Sequence, residues 1–148
     1  MNSTFGALFI VSTPLGNLKD ITLRALNIMK NSYLIAAEDT RKSQILLKEY
    51  NIKTKMISYH EHNSHNRIKK IISHLKDVKN IALISDAGTP GISDPSYRLI
   101  RSAIENEITV NSIPGPSAFL TALTSSGLRT DNFFSLDFYL QRKEENPN

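Results

Sequence analysis

The sequence predicts an α/β protein of three layers, α/β/α, built on a mostly parallel five-stranded sheet. Two patterns and a size argument predict it. Short apolar runs suited to buried strands recur at residues 7–13, 33–37, 55–59, 81–84 and 109–113. Each run is followed by apolar residues at helical spacing, and that alternation is the mark of a parallel sheet with helices on both faces. The chain has 148 residues, 40% hydrophobic and 22% charged, enough for one domain with a real core.

Each element has a local reason. Pro14-Leu15-Gly16-Asn17 breaks the first strand, and Asp20 starts a helix to about Lys30 with Ile21, Ala25 and Ile28 inward. The second strand ends at Glu38-Asp39, and a helix over 40–50 turns Leu46, Leu47 and Tyr50 inward. After the third strand, Ile68, Ile71, Ile72 and Leu75 form the apolar stripe of a helix. The fourth strand stops at Ser85-Asp86, where a loop with Gly88, Pro90 and Gly91 begins. Asp94 is expected to N-cap a helix whose first residue is Pro95, since proline lacks the N–H that would be orphaned there. Tyr97, Ile100 and Ile104 mark that helix's spacing. Pro114-Gly115-Pro116 is a stiff turn, and Ser117 caps a last helix to about Ser126. The expected organisation is one α/β domain over 1–127. Residues 128–148, with a strand-like aromatic stretch at 133–139, then start a C-terminal domain that is otherwise absent.

Net charge is +4 and the pI about 9.4, which permits a polyanionic partner without requiring one. Lys69, Lys70, Lys76 and Lys79 read as a solvated helix face rather than a nucleic-acid patch. With no cysteine, disulfides and thiolate zinc sites are excluded. No apolar run approaches membrane-spanning length, and residues 1–5 lack the character of a signal peptide. A cytoplasmic protein without a membrane partner is expected.

Three loops leave carboxyl ends of strands: 13–17, 86–94 and 114–118. In a parallel sheet they share one edge, where ligands bind in open α/β folds. Backbone amides and small side chains there suit an adenosine-sized ligand. A triphosphate is disfavoured because no lysine follows a glycine loop, and an ordinary dinucleotide fold is weakly supported because no G-x-G-x-x-G follows the first strand. Glu38-Asp39 reads either as a ribose-binding acid or as a solvated pair at a helix start. His60-Glu61-His62 with Asn63 and His65 reads as a substrate-contacting loop or as an exposed turn capped by Asn63 or Ser64, and less readily as a metal site. A divalent ion between Asp86 and Asp94, as in a metal-assisted phosphohydrolase, is a further alternative.

At Ser85-Asp86-Ala87-Gly88-Thr89-Pro90-Gly91-Ile92-Ser93-Asp94-Pro95 the chain resembles the ribosomal small subunit methyltransferase I family of the tetrapyrrole-methylase superfamily. Val11-Ser12-Thr13-Pro14-Leu15-Gly16-Asn17-Leu18, Ile21-Thr22-Leu23-Arg24-Ala25-Leu26, Ala36-Ala37-Glu38-Asp39-Thr40-Arg41, Ser58-Tyr59-His60-Glu61-His62-Asn63 and Ile113-Pro114-Gly115-Pro116-Ser117-Ala118 are similar to the same family, in its order. The resemblance implies the N-terminal domain of the tetrapyrrole-methylase fold, and S-adenosylmethionine as cofactor. It implies 2′-O-methylation of a cytidine in 16S ribosomal RNA, with that RNA or the small ribosomal subunit as partner. It places Pro14, Asp86, Ala87, Gly88, Thr89, Ile92, Ser117 and Ala118 on the cofactor. Glu38, Arg41 and Asn63 fall on the RNA side, with Asp39 and His60 as catalytic candidates and no metal. Thr89 stands where the superfamily has an aspartate. Members of that family are about twice this long, so a truncated binding module without activity of its own is the alternative. A homodimer, or association with a missing C-terminal half, is the expected assembly.

Overall fold

The computed structural model describes residues 5–92 and 94–134. The chain divides into two compact units after Ala118. In the first, β1 (Leu8–Val11), β2 (Leu34–Ala37), β3 (Met56–Ser58), β4 (Ile81–Ile84) and β5 (Val110–Ile113) form one sheet. Their order is β3-β2-β4-β1-β5, with every pairing parallel. The register sets Leu8 beside both Ile81 and Val110.

Alternation along each strand feeds two cores. Leu8, Ile10, Leu34, Ala36, Ile81 and Leu83 pack with Ile71 and Leu75 of α3 (Ser64–Lys76) and Leu99 and Ala103 of α4 (Ser96–Glu105). Val11, Ile35, Ala37, Ala82 and Ile84 pack with Ala25 and Met29 of α1 (Leu23–Asn31) and Leu46 and Leu47 of α2 (Thr40–Glu49). The three layers are those the sequence predicts.

Four local features are decided by the structure. The first helix starts at Leu23, not Asp20: the Thr22 hydroxyl accepts the Ala25 amide at 3.0 Å, and residues 18–20 form a separate 3₁₀ turn capped by Asn17. On α4 the inward face is Leu99 and Ala103, while Tyr97 and Ile104 are 55% and 61% exposed. Pro95 precedes α4, whose first residue is Ser96, and Asp94 still accepts the Ser96 amide at 2.7 Å. Asn63 caps the 3₁₀ turn 61–63 rather than α3, its side chain accepting the His60 amide and reaching back to Ser58. The second unit, residues 119–134 of those described, holds most of α5 (Ala118–Ser125), with the Phe119 and Phe133 rings 6.2 Å apart. The rest of the aromatic stretch expected as a strand lies outside the described residues.

Candidate functional site

The sheet order decides which loops can meet. β1 and β4 are neighbours, yet α1 follows β1 onto one face while α4 follows β4 onto the other. Such a switch point opens a crevice beyond the strand ends. Two reciprocal backbone hydrogen bonds cross it, Thr13 N–H to Gly88 O at 2.9 Å and Gly88 N–H to Thr13 O at 3.0 Å. Gly88 has φ +77°, a region that L side chains rarely adopt. The buried Thr13 hydroxyl donates to Ser85 O at 3.1 Å, and the Ser85 hydroxyl donates to Gly88 O at 3.2 Å.

The β5 loop joins the same construction. Ser12 Oγ and Thr89 Oγ1 lie 2.9 Å apart, and Thr89 Oγ1 donates to Pro116 O at 3.2 Å. Because Thr89's proton goes to Pro116, the Ser12 hydroxyl is the donor in the first pair. A Cβ on Gly115 would lie 2.8 Å from Ser12 Cβ, so glycine is what lets the two loops approach. Pro14, Gly88, Thr89 and Pro116 thus share one rim, with Ser117 and Ala118 directly following. Among the described residues, the amides of Ala87 and Thr89 donate to no protein acceptor. Ile92 is 57% exposed on the same loop.

Beside this rim is a cavity of about 190 Å³ bounded by Pro14, Gly16, Lys42, Ser43, Asp86 and Ala87, among others. Ser43 is 5% exposed and its hydroxyl has no hydrogen-bond partner among the described residues. A buried hydroxyl left unpaired costs stability unless a ligand or water satisfies it. This orphan, with the free loop amides and the glycine-lined approach, fits a small polar nucleoside held by main-chain contacts.

The acidic residues lie on the β2 and β4 side. Asp86 accepts the Asp39 amide at 3.0 Å and the Lys42 ammonium at 2.7 Å. Asp94 accepts the Gly91 and Ser96 amides. Both carboxylates therefore already have donors on each oxygen, and among the described residues no three metal-binding side chains are grouped. Burial, then the Asp86 and Asp94 charges, push the Glu38 carboxyl above its usual range. Asp39 behaves oppositely: hydrogen bonds from the Arg41 side chain and amide bring it down to about 2. Its carboxylate caps α2 and grips the Arg41 guanidinium at 3.0 and 3.2 Å.

The Asn63 amide selects the His60 tautomer. Asn63 Oδ1 accepts the His60 backbone N–H at 3.0 Å, so the amide nitrogen of Asn63 is the atom 3.0 Å from His60 Nε2. An amide NH₂ only donates, so Nε2 carries the lone pair and the neutral ring has its proton on Nδ1. That Nδ1 is buried and has no hydrogen-bond partner among the described residues.

Ser12, Lys42, Ser43 and Ser85 were not among the residues that the sequence singled out. Ser12 sits inside a recognisable run before Pro14. Lys42 and Ser43 carry no signal beyond their place in a helix's first turn, and only the fold brings them to Asp86 and the cavity.

The sequence profile of the tetrapyrrole (corrin/porphyrin) methylases matches residues 7–148. The chain is 50% identical over 139 residues to the ribosomal RNA small subunit methyltransferase I of Hydrogenobaculum sp. (strain Y04AAS1), covering 93% of this chain and 60% of that protein. It is 48% identical over 140 residues to the protein of the same name from Halalkalibacterium halodurans, covering 95% and 48%. The chain spans about half the length of the curated relatives it matches. Among solved structures it is similar to uroporphyrin-III-C-methyltransferase from Thermus thermophilus, with TM-score 0.63, 16% identity, and coverage of 84% and 53%. A conserved hypothetical protein from Aeropyrum pernix K1 gives TM-score 0.68, 18% identity, and coverage of 85% and 44%. These structural likenesses concern the fold. The chain belongs to the tetrapyrrole (corrin/porphyrin) methylase family, and within it falls with the relatives named ribosomal RNA small subunit methyltransferase I.

Proposed function

We propose that the rim shared by β1, β4 and β5 binds S-adenosylmethionine, and that this chain forms the cofactor side of an enzyme that methylates the 2′-hydroxyl of a cytidine in 16S ribosomal RNA. One observation carries the reading: the Ser12–Thr89–Pro116 hydrogen-bond chain and the Thr13–Gly88 bridge draw three loops into one bed. The named relatives support the RNA substrate.

In this reading Pro14, Asp86, Ala87, Gly88, Thr89, Ile92, Ser117 and Ala118 hold the cofactor, chiefly through backbone groups and small side chains. When bound, the cofactor supplies an electrophilic methyl on a cationic sulfonium. The Glu38, Asp86 and Asp94 carboxylates give the adjoining rim a negative field that favours such a cation. Glu38, Arg41 and Asn63 face the RNA. Asp39 and His60 act on the ribose, each within its own limits. Asp39 stays ionised and holds Arg41, while His60 offers its lone pair to a hydroxyl only when Asn63 releases it. Glu38, next to Asp39 in the chain and with its proton affinity raised, is the better matched acceptor for the hydroxyl proton. The chain's main contribution to rate is alignment, since the leaving group is neutral and good.

Titration calorimetry with S-adenosylmethionine, followed by methyl transfer to small-subunit RNA, tests this. Binding and transfer are expected with the complete enzyme. Binding without transfer by this chain alone assigns it the role of a cofactor module. No binding heat in either form sinks the proposal.

A further inference from the structure

We propose that the open edge of β3 is the track for the phosphodiester backbone of the RNA strand that carries the target ribose. That the polymer is RNA rests on the proposed methylation of ribosomal RNA; the surface itself is read from charge and geometry.

Charge is the first observation. Residues 40–76 carry nine lysines and arginines against two glutamates, a net +7 in a chain whose total is +4. The positive excess is therefore concentrated in the segment that carries β3, and the remainder of the chain is net acidic.

Shape is the second. A trough of about 700 Å³ runs along β3, bordered by Arg41, Lys53 and Arg67, with Gln44, Thr54 and Ser58 between them. Among the described residues, Lys53 and Arg67 make no ion pair. Arg41 is tied to Asp39 at the end nearest the acidic rim.

Hydrogen-bond polarity is the third. β3 is an edge strand, paired only with β2. Lys55 O accepts from Ile35 and Tyr59 N–H donates to Ala37, so Met56 and Ser58 direct their backbone groups away from the sheet. Asn63 Nδ2 covers Ser58 O at 3.3 Å. Beside the Met56 carbonyl, what remains on the edge is rich in donors: the Met56 and Ser58 amides, an ammonium and two guanidinium groups. A phosphodiester only accepts, and so matches it. A further β-strand needs a continuous row of acceptors as well, which the covered Ser58 carbonyl interrupts. From Lys53 to Ser58 the trough spans roughly 17 Å at the rise of a strand. It ends beside Arg41, next to Glu38 and Asp39, so a strand lying in it is delivered to the rim.

The test is fluorescence anisotropy of a short labelled single-stranded RNA with the full chain across a salt series. Lys53→Gln/Arg67→Gln is compared with Arg24→Gln/Lys30→Gln, which removes the same charge from exposed positions on α1. The trough variant is expected to bind more weakly and to lower the slope of log affinity against log salt by about 1.4, at about 0.7 per phosphate contact. Each single substitution is expected to remove about half of that shift. The α1 variant is expected to keep the wild-type slope. Calorimetry with S-adenosylmethionine and the urea midpoint verify that the variants are folded. Wild-type RNA binding with an unchanged slope in the trough variant overturns the track and leaves the RNA reading intact. No RNA binding by the wild type overturns both, whatever the calorimetry shows for the cofactor.

Discussion

Gly115→Ala probes the rim at its tightest point. The new Cβ would lie 2.8 Å from Ser12 Cβ, whereas ordinary contact begins at 3.4 Å. Neither atom is the far end of a flexible side chain, so the β5 loop must move away from β1. A movement of about 0.6 Å that restores ordinary contact takes the 3.2 Å bond from Thr89 Oγ1 to Pro116 O, on the moving loop, to about 3.8 Å, beyond the range of a hydrogen bond. Overpacking of this kind costs about 1–3 kcal/mol, and losing the hydrogen bond adds about 0.5–1.5 kcal/mol. Urea unfolding measures the sum, and calorimetry with S-adenosylmethionine reads the effect on the bed, expected as a loss of affinity. The decisive measurement is a double-mutant cycle with Ser12→Gly, which removes the opposing Cβ. In that background Gly115→Ala is expected to cost less by about 1–3 kcal/mol. If the two substitutions add without coupling, the close approach of these loops carries no energetic weight and the steric account of the rim is refuted.

Three further perturbations follow from the same geometry. Asp39 is held from the usual 3.8 down to about 2, so its ionised form contributes stability that is complete above 3.8 and lost as pH falls through about 2. Asp39→Asn should abolish that acid limb in urea midpoints measured against pH, and an unchanged limb would place it elsewhere. Glu38 is shifted the other way, from 4.5 upward, so the fold opposes its ionisation and stability falls as pH rises through the raised value. Glu38→Gln should therefore stabilise the chain at neutral pH while impairing transfer by the complete enzyme; equal stability at pH 4 and pH 7 relative to wild type contradicts the assignment. Burial pushes the Tyr59 phenol up to about 12, so its hydroxyl stays a donor to Pro95 O at 3.2 Å. Tyr59→Phe should cost about 0.5–1.5 kcal/mol in urea unfolding, with no effect expected if that bond contributes nothing.

The candidate site was partly legible in the residues. The glycines and prolines at 88–91 and 114–116 announce loops at strand ends, and a parallel sheet puts such loops on one edge. The contacts that join them were not legible. Ser12, Thr89 and Pro116 are separated by 77 and 27 positions, and no local rule pairs them. On α4 the spacing admits two faces, and Tyr97, Ile100 and Ile104 mark one. The sheet selects Leu99 and Ala103, which join the cluster of Leu8 and Leu83, with Ile100 packed against it. Asn63 suits a helix cap by residue type alone. Its amide instead finds His60 and Ser58, which only the turn after β3 brings within reach.

Local physics therefore determined the elements: apolar runs, their punctuation by glycine and proline, and caps such as Thr22 and Asp39 follow from interactions within a few residues. Tertiary structure alone decided the order β3-β2-β4-β1-β5. That order puts Glu38 in the field of Asp86 and Asp94, brings Lys42 to Asp86 and leaves β3 at an edge. The physical reason is range. Backbone propensity and side-chain periodicity are short-ranged, whereas the neighbour of a strand, and with it every charge and hydroxyl at its end, is selected by the burial of both sheet faces at once.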